Sequence, residues 1–169
     1  HGKLSECFGP SFERYDTNST ASRMPAFELQ LVTRILSTKQ TQDPKKTSMI
    51  SEFDCPEDAW FYHKNSHKEV MPTSIMMEIG LQTSGFLSAL TVALRMKHPS
   101  PMFRNLDATA ELCSTMDLRG KTIRNETTAR SYSYMGNMMI HSFHFECFVG
   151  STLIYKGDTS FGWFEPQVF

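Results

Sequence analysis

Residues 70–82 of the chain read VMPTSIMMEIGLQ, from Val70 to Gln82. Pro72 suits the first turn of a helix, because its missing N–H would have no partner there. Glu78 is the one carboxylate in the apolar run that follows. Burying an ionised carboxylate is so costly that the group tends to take up a proton instead. A neutral carboxyl group in an apolar site suits general acid catalysis, so Glu78 is the first candidate catalytic residue.

The pattern around this stretch predicts one long helix, from about Pro72 to Lys97. Arg95 and Lys97 suit the negative end of a helix, and the HPSP sequence at residues 98–101 ends it. The helix is apolar nearly all round, which fits either a membrane span or a buried core helix. Polar and glycine residues interrupt it too often for a span, so we expect a core helix and no membrane partner.

Strand-like segments flank the predicted helix. Before it, Glu28–Ser37 fits a strand or a short helix, and Ser48–Asp54 fits a return strand after a polar turn. After it come four segments joined by short turns, which indicate an antiparallel meander: Phe103–Cys113, Thr122–Tyr132, Met138–Val149 and Leu153–Phe164. One apolar helix followed by such strands predicts an α+β fold, in which an antiparallel sheet wraps around the helix.

The first 26 residues have the composition of turns and linkers, including Gly9-Pro10 and a polar run at residues 16–20. We expect residues 1–26 to be an N-terminal extension that packs on a domain formed by residues 27–169. Phe8, Phe12 and Tyr15 are the side chains expected to make that contact.

The composition excludes some partners. With 17 basic and 18 acidic residues, the chain has a net charge of −1 and no basic excess for binding nucleic acid. The four cysteines stand singly, without the spacing of a zinc site, so we expect no metal. They fit reduced, mostly buried thiols of a cytoplasmic protein.

The stretch Val70–Gln82, with Met71-Pro72, Glu78 and Gln82, resembles the hotdog-fold 3-hydroxyacyl-carrier-protein dehydratases. The resemblance is closest to the dehydratase modules of polyunsaturated-fatty-acid synthases and related polyketide synthases. The shared segments occur in order along nearly the whole chain: FGPSF at 8–12, RMP at 23–25, LVTRI at 31–35, PEDAWFY at 56–62, FRNL at 103–106 and IYKGDTSFG at 154–162. Thr73 stands where the family has glycine, and the loop from His63 to Val70 is one residue longer than the common form.

This resemblance implies a single hotdog fold around one central helix and a dehydratase activity that converts 3-hydroxyacyl thioesters to enoyl thioesters. An additional double-bond isomerisation is compatible with it. Glu78 would be the acid, and Gln82, one turn later on the same face, would orient its carboxyl group or bind the water formed. His63 would be the base, with His67 in the same loop as the alternative.

Other residues near the helix start are supporting candidates. Backbone N–H groups at Thr73 and Ser74 are placed to polarise the thioester carbonyl. Met71 and Met77 belong to a set of eleven methionines that suits an adaptable acyl-chain tunnel, although ordinary core packing explains them as well. His141 and His144 lie on opposite faces of a strand, so we expect packing or surface roles for them.

The resemblance also implies partners. The substrate would be carried on the phosphopantetheine of an acyl carrier protein, and the chain would need no cofactor of its own. In this family the histidine of one hotdog works with the acid of another, which predicts a homodimer or pairing with a second hotdog domain. Two alternatives remain: a catalytically degenerate hotdog that structurally completes a paired dehydratase, and a hotdog acyl thioesterase.

Overall fold

The computed structural model describes residues 3–18, 22–41, 43–64, 67, 69–95 and 100–166. Its centre is a six-stranded antiparallel sheet with the strand order β1-β2-β4-β5-β6-β3. The strands are β1 (Arg34–Lys39), β2 (Ser48–Asp54), β3 (Met102–Leu112), β4 (Thr122–Met135), β5 (Met138–Val149) and β6 (Thr152–Phe164). The four strands predicted after the helix are therefore confirmed, and the α+β fold with them. The predicted meander holds only for β4, β5 and β6, because β3 lies at the edge of the sheet and pairs with β6, not with β4.

Within the described residues, four α-helices accompany the sheet: α1 (Leu4–Phe8), α2 (Glu13–Asp16), α3 (Trp60–His63) and α4 (Thr73–Arg95). The helix α4 begins directly after Pro72, whose carbonyl accepts hydrogen bonds from the N–H groups of Ile75 and Met76 at 3.0 and 3.2 Å. The predicted helix end near Lys97 lies outside the described residues.

The helix α4 is a core helix, as predicted. The span Thr73–Ala93 is long and apolar enough to cross a membrane, but 67% of its apolar window is buried inside the fold. It packs against β2, β4, β5 and β6. The extended apolar surface of the helix is therefore explained by contact with the sheet.

A glycine allows α4 to lie close to the sheet. A Cβ atom at Gly80 would stand 2.5 Å from Cε2 of Phe145 in β5, well inside van der Waals contact. A Cβ atom at Gly157 in β6 would lie 2.7 Å from the same ring. Phe145 is fully buried between these two glycines, so the local distance between helix and sheet depends on both of them.

The alternation predicted for β5 is confirmed. Its buried side chains are Met139, His141, Phe143, Phe145 and Cys147, all at 1% exposure or less. Burial raises the pKa of the Cys147 thiol to about 12. Cys55 is also buried, whereas Cys7 and Cys113 are exposed. The prediction that most of the cysteines are buried is therefore right for only two of the four.

The N-terminal residues form short helices that pack on α4. Phe12 and Tyr15 are buried in one hydrophobic cluster with Leu87 and Leu90 of α4. The Arg14 guanidinium donates a hydrogen bond to the carbonyl of Ala93. These residues therefore contact α4, while the division of the chain into an extension of residues 1–26 and a domain of residues 27–169 stays a prediction.

Two local predictions need correction. The segment Glu28–Ser37 is neither one strand nor one helix, since a 3₁₀ turn at Phe27–Leu29 precedes β1. The sequence PEDAW at residues 56–60 also predicts one short helical turn, but the helix α3 lies later, at Trp60–His63. Burial of Phe61 and Tyr62 accounts for this shift, because α3 places these two rings in the core.

Candidate active site

One side of α4 borders a cavity of about 580 Å³. The floor is formed by residues of α4 one turn apart, from Glu78 and Gln82 through Gly85 and Ala89 to Ala93. One wall belongs to β3 and β6, and the other is formed by Leu4, Phe12, Tyr15 and residues 22–26 of the N-terminal extension together with Gln30. Most of these side chains are apolar, so the cavity suits an apolar ligand that carries polar groups at its Glu78 end.

Glu78 and Gln82 form the polar end of this cavity. The Gln82 side-chain amide donates a hydrogen bond from Nε2 to Oε1 of Glu78 at 3.1 Å. Gln82 is only 5% exposed, but Glu78 is half-buried and not enclosed as the apolar run suggested. Because Glu78 lines the cavity and is not fully buried, its side chain is accessible to a ligand there.

The Gln82 amide is fixed by two further hydrogen bonds. Its Oε1 accepts from the backbone N–H of Leu31 at 2.9 Å, and its Nε2 donates to the carbonyl of Leu29 at 2.8 Å. Both amide hydrogens and the carbonyl oxygen therefore have partners. A side chain held in this way has one orientation, so Gln82 fixes the carboxyl group of Glu78 as well.

The structure places the candidate base away from the cavity. His63 is exposed at the end of α3, because Phe61 and Tyr62 beside it are buried. The Tyr62 hydroxyl lies 3.4 Å from Sγ of Cys55 in the core, and burial raises the pKa of both groups. His67 is exposed too. Neither histidine lines the cavity, and a base role for either one stays a prediction.

The other supporting candidates also lie outside the cavity lining. Met71 is 2% exposed in the core. Met77 is half-buried, and its sulfur lies 3.8 Å from the hydroxyl oxygen of Tyr155. Thr73 and Ser74 are exposed at the first turn of α4. The structure therefore unites Glu78 with Gln82 and leaves the roles of these four residues as predictions.

Sequence reasoning missed a buried polar cluster at the far end of the cavity. Ser88 on α4 is within 2.7 Å of Nδ1 of His141, and its hydroxyl accepts a hydrogen bond from the Trp163 indole at 2.8 Å. Ser88 and His141 are fully buried, and Trp163 lines the cavity. The inward position of His141 on β5 was the one available signal, since Ser88 looks like any helix serine.

Within the part of the chain that the structure describes, no group of three His, Cys, Asp or Glu side chains is placed to hold a metal ion. Among the described residues that line the cavity, Glu78 is the one that carries a carboxyl group, and Gln82 is its amide partner.

The architecture and this site define the class: the chain is a hotdog-fold domain. The solved dehydratase heterocomplex ApeI:P from Xenorhabdus doucetiae superposes with a TM-score of 0.63 at 12% identity, covering 85% of this chain and 88% of that one. A mutant of thioesterase PA1618 from Pseudomonas aeruginosa superposes with a TM-score of 0.51 at 11% identity, covering 77% and 81%. These likenesses confirm the predicted fold.

A curated relative adds sequence identity to the shared fold. The chain is 49% identical to a polyunsaturated fatty acid synthase subunit of Thraustochytrium sp. over 179 aligned residues, which include 99% of this chain. The resemblance to such synthases is therefore confirmed. The chain spans only 12% of that relative's length, so it corresponds to one segment of a much larger protein. No family model matches the chain.

Proposed function

We propose that this chain is the acid-bearing half of a paired hotdog dehydratase that acts on 3-hydroxyacyl thioesters carried on the phosphopantetheine of an acyl carrier protein. The observation that carries the proposal is the Glu78–Gln82 pair, bonded at 3.1 Å, at the polar end of a largely apolar cavity. The relationship to a polyunsaturated fatty acid synthase supports a place in such a synthase or in a related polyketide synthase.

The proposed reaction removes water across C2 and C3 of the acyl chain. A base takes the C2 proton, and the electrons of that C–H bond form the C2–C3 double bond. The C3–O bond breaks with its electron pair on oxygen, and Glu78 protonates that oxygen as it leaves as water. Gln82 keeps the carboxyl group of Glu78 directed at the leaving hydroxyl, while the apolar cavity holds the acyl chain.

The base is proposed to come from a second hotdog domain. Among the described residues that line the cavity, Glu78 has no histidine neighbour, and His63 is exposed elsewhere. The edge strand β3 has one strand neighbour, β6, and it carries Leu106 and Leu112 at 47% and 50% exposure. Edge strands offer unpaired backbone groups to another chain, so we propose that the partner pairs here, as a second copy or as a neighbouring domain.

The test is turnover of a 3-hydroxyacyl pantetheine thioester, followed as enoyl formation. We expect activity from the paired assembly and loss of that activity in Glu78→Gln, which keeps the shape of the side chain but cannot donate the proton. His63→Ala tests the base within the same assay. Full turnover by Glu78→Gln would refute the assignment of the acid. Measuring thiol release in parallel separates dehydration, which releases none, from thioester hydrolysis.

A second candidate is a structural half that completes its partner without chemistry of its own. The exposure of His63 away from the cavity favours it, as does Thr73 in the place of the family's glycine. In that case the partner's activity would need this domain to be present, and it would be unchanged when the domain carries Glu78→Gln.

A further inference from the structure

The outer wall of the cavity beside α4 is formed in large part by residues 22–30, here named the strap, together with Leu4, Phe12 and Tyr15. Ser22, Arg23, Met24, Pro25, Ala26 and Gln30 of the strap line the cavity. The opposite wall is built by the sheet residues Phe103, Phe161 and Trp163.

The strap is fixed at both ends. At one end the Gln82 amide binds the carbonyl of Leu29, and the Trp60 indole donates to the carbonyl of Glu28 at 3.2 Å. At the other end the Arg23 guanidinium donates to the carbonyl of Tyr15 and, at 3.3 Å, to that of Asn18. Tyr15 packs in one cluster with Leu87 and Leu90 of α4, so the strap runs from the Leu90 region of α4 back toward Gln82 and Glu78.

Backbone strain in the strap supports a functional position. Phe27 has a φ of 57°, a left-handed conformation that is uncommon for a bulky residue. Its side chain is 93% exposed, so burial of the ring does not stabilise this conformation. The hydrogen bonds of Glu28 and Leu29 to Trp60 and Gln82 are what hold it, and such strain persists where the surroundings impose it.

We infer that the strap is the wall that selects the length of the acyl chain. This inference rests on the proposed function, because it takes the ligand to be an acyl thioester with its reacting carbons at Glu78. The α4 residues that form the floor of the cavity, from Glu78 to Ala93, span about 22 Å along the helix axis. A short chain would end beside Ala26, and a long chain would extend past Met24 toward Arg23.

Met24 is the residue that the strap contributes to chain selection. Its side chain is half-buried and lines the cavity, and methionine adapts its shape to an apolar partner. Phe27, three residues later on the same strap, faces solvent and does not line the cavity. These two large apolar residues therefore form a matched pair for substitution by alanine.

The experiment uses pantetheine thioesters of hexadecanoic and butanoic acid on the 169-residue chain. Met24→Ala should weaken hexadecanoyl binding about tenfold, the effect of leaving roughly two methylenes in water, and should leave butanoyl binding unchanged. Phe27→Ala should alter neither. Equal effects of the two substitutions on the hexadecanoyl thioester, or none from Met24→Ala, would overturn the inference.

Photolabelling of the unsubstituted chain tests the same point without a variant. A diazirine at the end of the hexadecanoyl chain should label Ser22–Met24, and one at the end of a butanoyl chain should label nearer Ala26–Gln30. Labels confined to other elements would refute the role of the strap. Both assays measure binding, so labelling of the strap without dehydration would count against the proposed function alone, and dehydration with labels elsewhere would count against this inference alone.

Discussion

The amide of Gln82 holds the carboxyl group of Glu78 at 3.1 Å while it also binds the backbone of Leu29 and Leu31. One side chain thus joins the candidate acid, the helix that carries it and the strap, which forms part of the cavity wall. Displacement of Gln82 would alter all three together, which makes it the most informative residue for substitution.

Gln82→Leu should lower both stability and turnover. It removes the side-chain amide that bonds the buried N–H of Leu31 and the carbonyl of Leu29. An unsatisfied buried group costs about 1–3 kcal/mol. It also frees the carboxyl group of Glu78 to change orientation, so kcat should fall further than folding alone explains. Urea unfolding and enoyl formation measure the two effects. Gln40→Leu, in the β1–β2 connection, is the control, and a kcat equal to that control would contradict a positioning role.

Ser88→Ala should destabilise the fold by about 1–3 kcal/mol, because it removes the hydroxyl that the Trp163 indole and Nδ1 of His141 share in the core. Thermal unfolding is the measurement. Ser133→Ala, at an exposed position of β4, should change stability by no more than about 0.5 kcal/mol. If both variants unfold at the same temperature, the buried cluster makes no measurable contribution to stability.

Gly80→Ala should destabilise the fold by about 1–3 kcal/mol through overpacking, although alanine is the better helix former. The new Cβ atom would lie 2.5 Å from the Phe145 ring. Gly85→Ala is the matched control on the same helix, since its Cβ atom would lie 3.4 Å from Phe103, an ordinary contact. In the background Phe145→Leu the cost of Gly80→Ala should shrink. An unchanged cost in that background would show that Phe145 does not cause it.

Alkaline pH should destabilise the fold partly through Cys147. Burial raises the pKa of this thiol to about 12, whereas in the unfolded chain it ionises near its ordinary value of about 8.5. Above that value the unfolded state has bound fewer protons than the folded state, so the free energy of unfolding falls as the pH rises. Below it, the contribution of this thiol is constant.

Urea unfolding under reducing conditions, between about pH 8 and pH 10, measures this dependence. Cys147→Ala should make the fall of the unfolding free energy with pH shallower by up to about 1.4 kcal/mol per pH unit. Cys113→Ala, at an exposed thiol, should leave that pH dependence unchanged. Parallel pH profiles for all three proteins would show that Cys147 does not ionise on unfolding in this range.

The fold was predictable because its signals are local. Pro72 and the apolar run marked α4, and alternation marked β5, since helix and strand periodicities appear directly in the order of residues. The 3₁₀ turn at Phe27–Leu29 was not predictable. Its geometry is held by Trp60 and Gln82, which lie more than thirty positions away along the chain.

The candidate site was only half predictable, for the same reason. Glu78 and Gln82 are four residues apart on one helix, so their contact follows from helix geometry. The exposure of His63 depends on how Phe61 and Tyr62 enter the core, and the contact of Ser88 with His141 joins a helix to a distant strand. Contacts of this kind join residues far apart in the sequence, so no local sequence pattern predicts them.

The sequence by itself therefore determined the core helix, the antiparallel strands and the pair of Glu78 with Gln82. Only the tertiary structure decided that Glu78 borders a cavity, that residues 22–30 form part of the wall of that cavity, and that His63 lies outside its lining. Periodicity records which face of an element is buried, whereas a cavity is the space left between elements that the chain brings together from far apart.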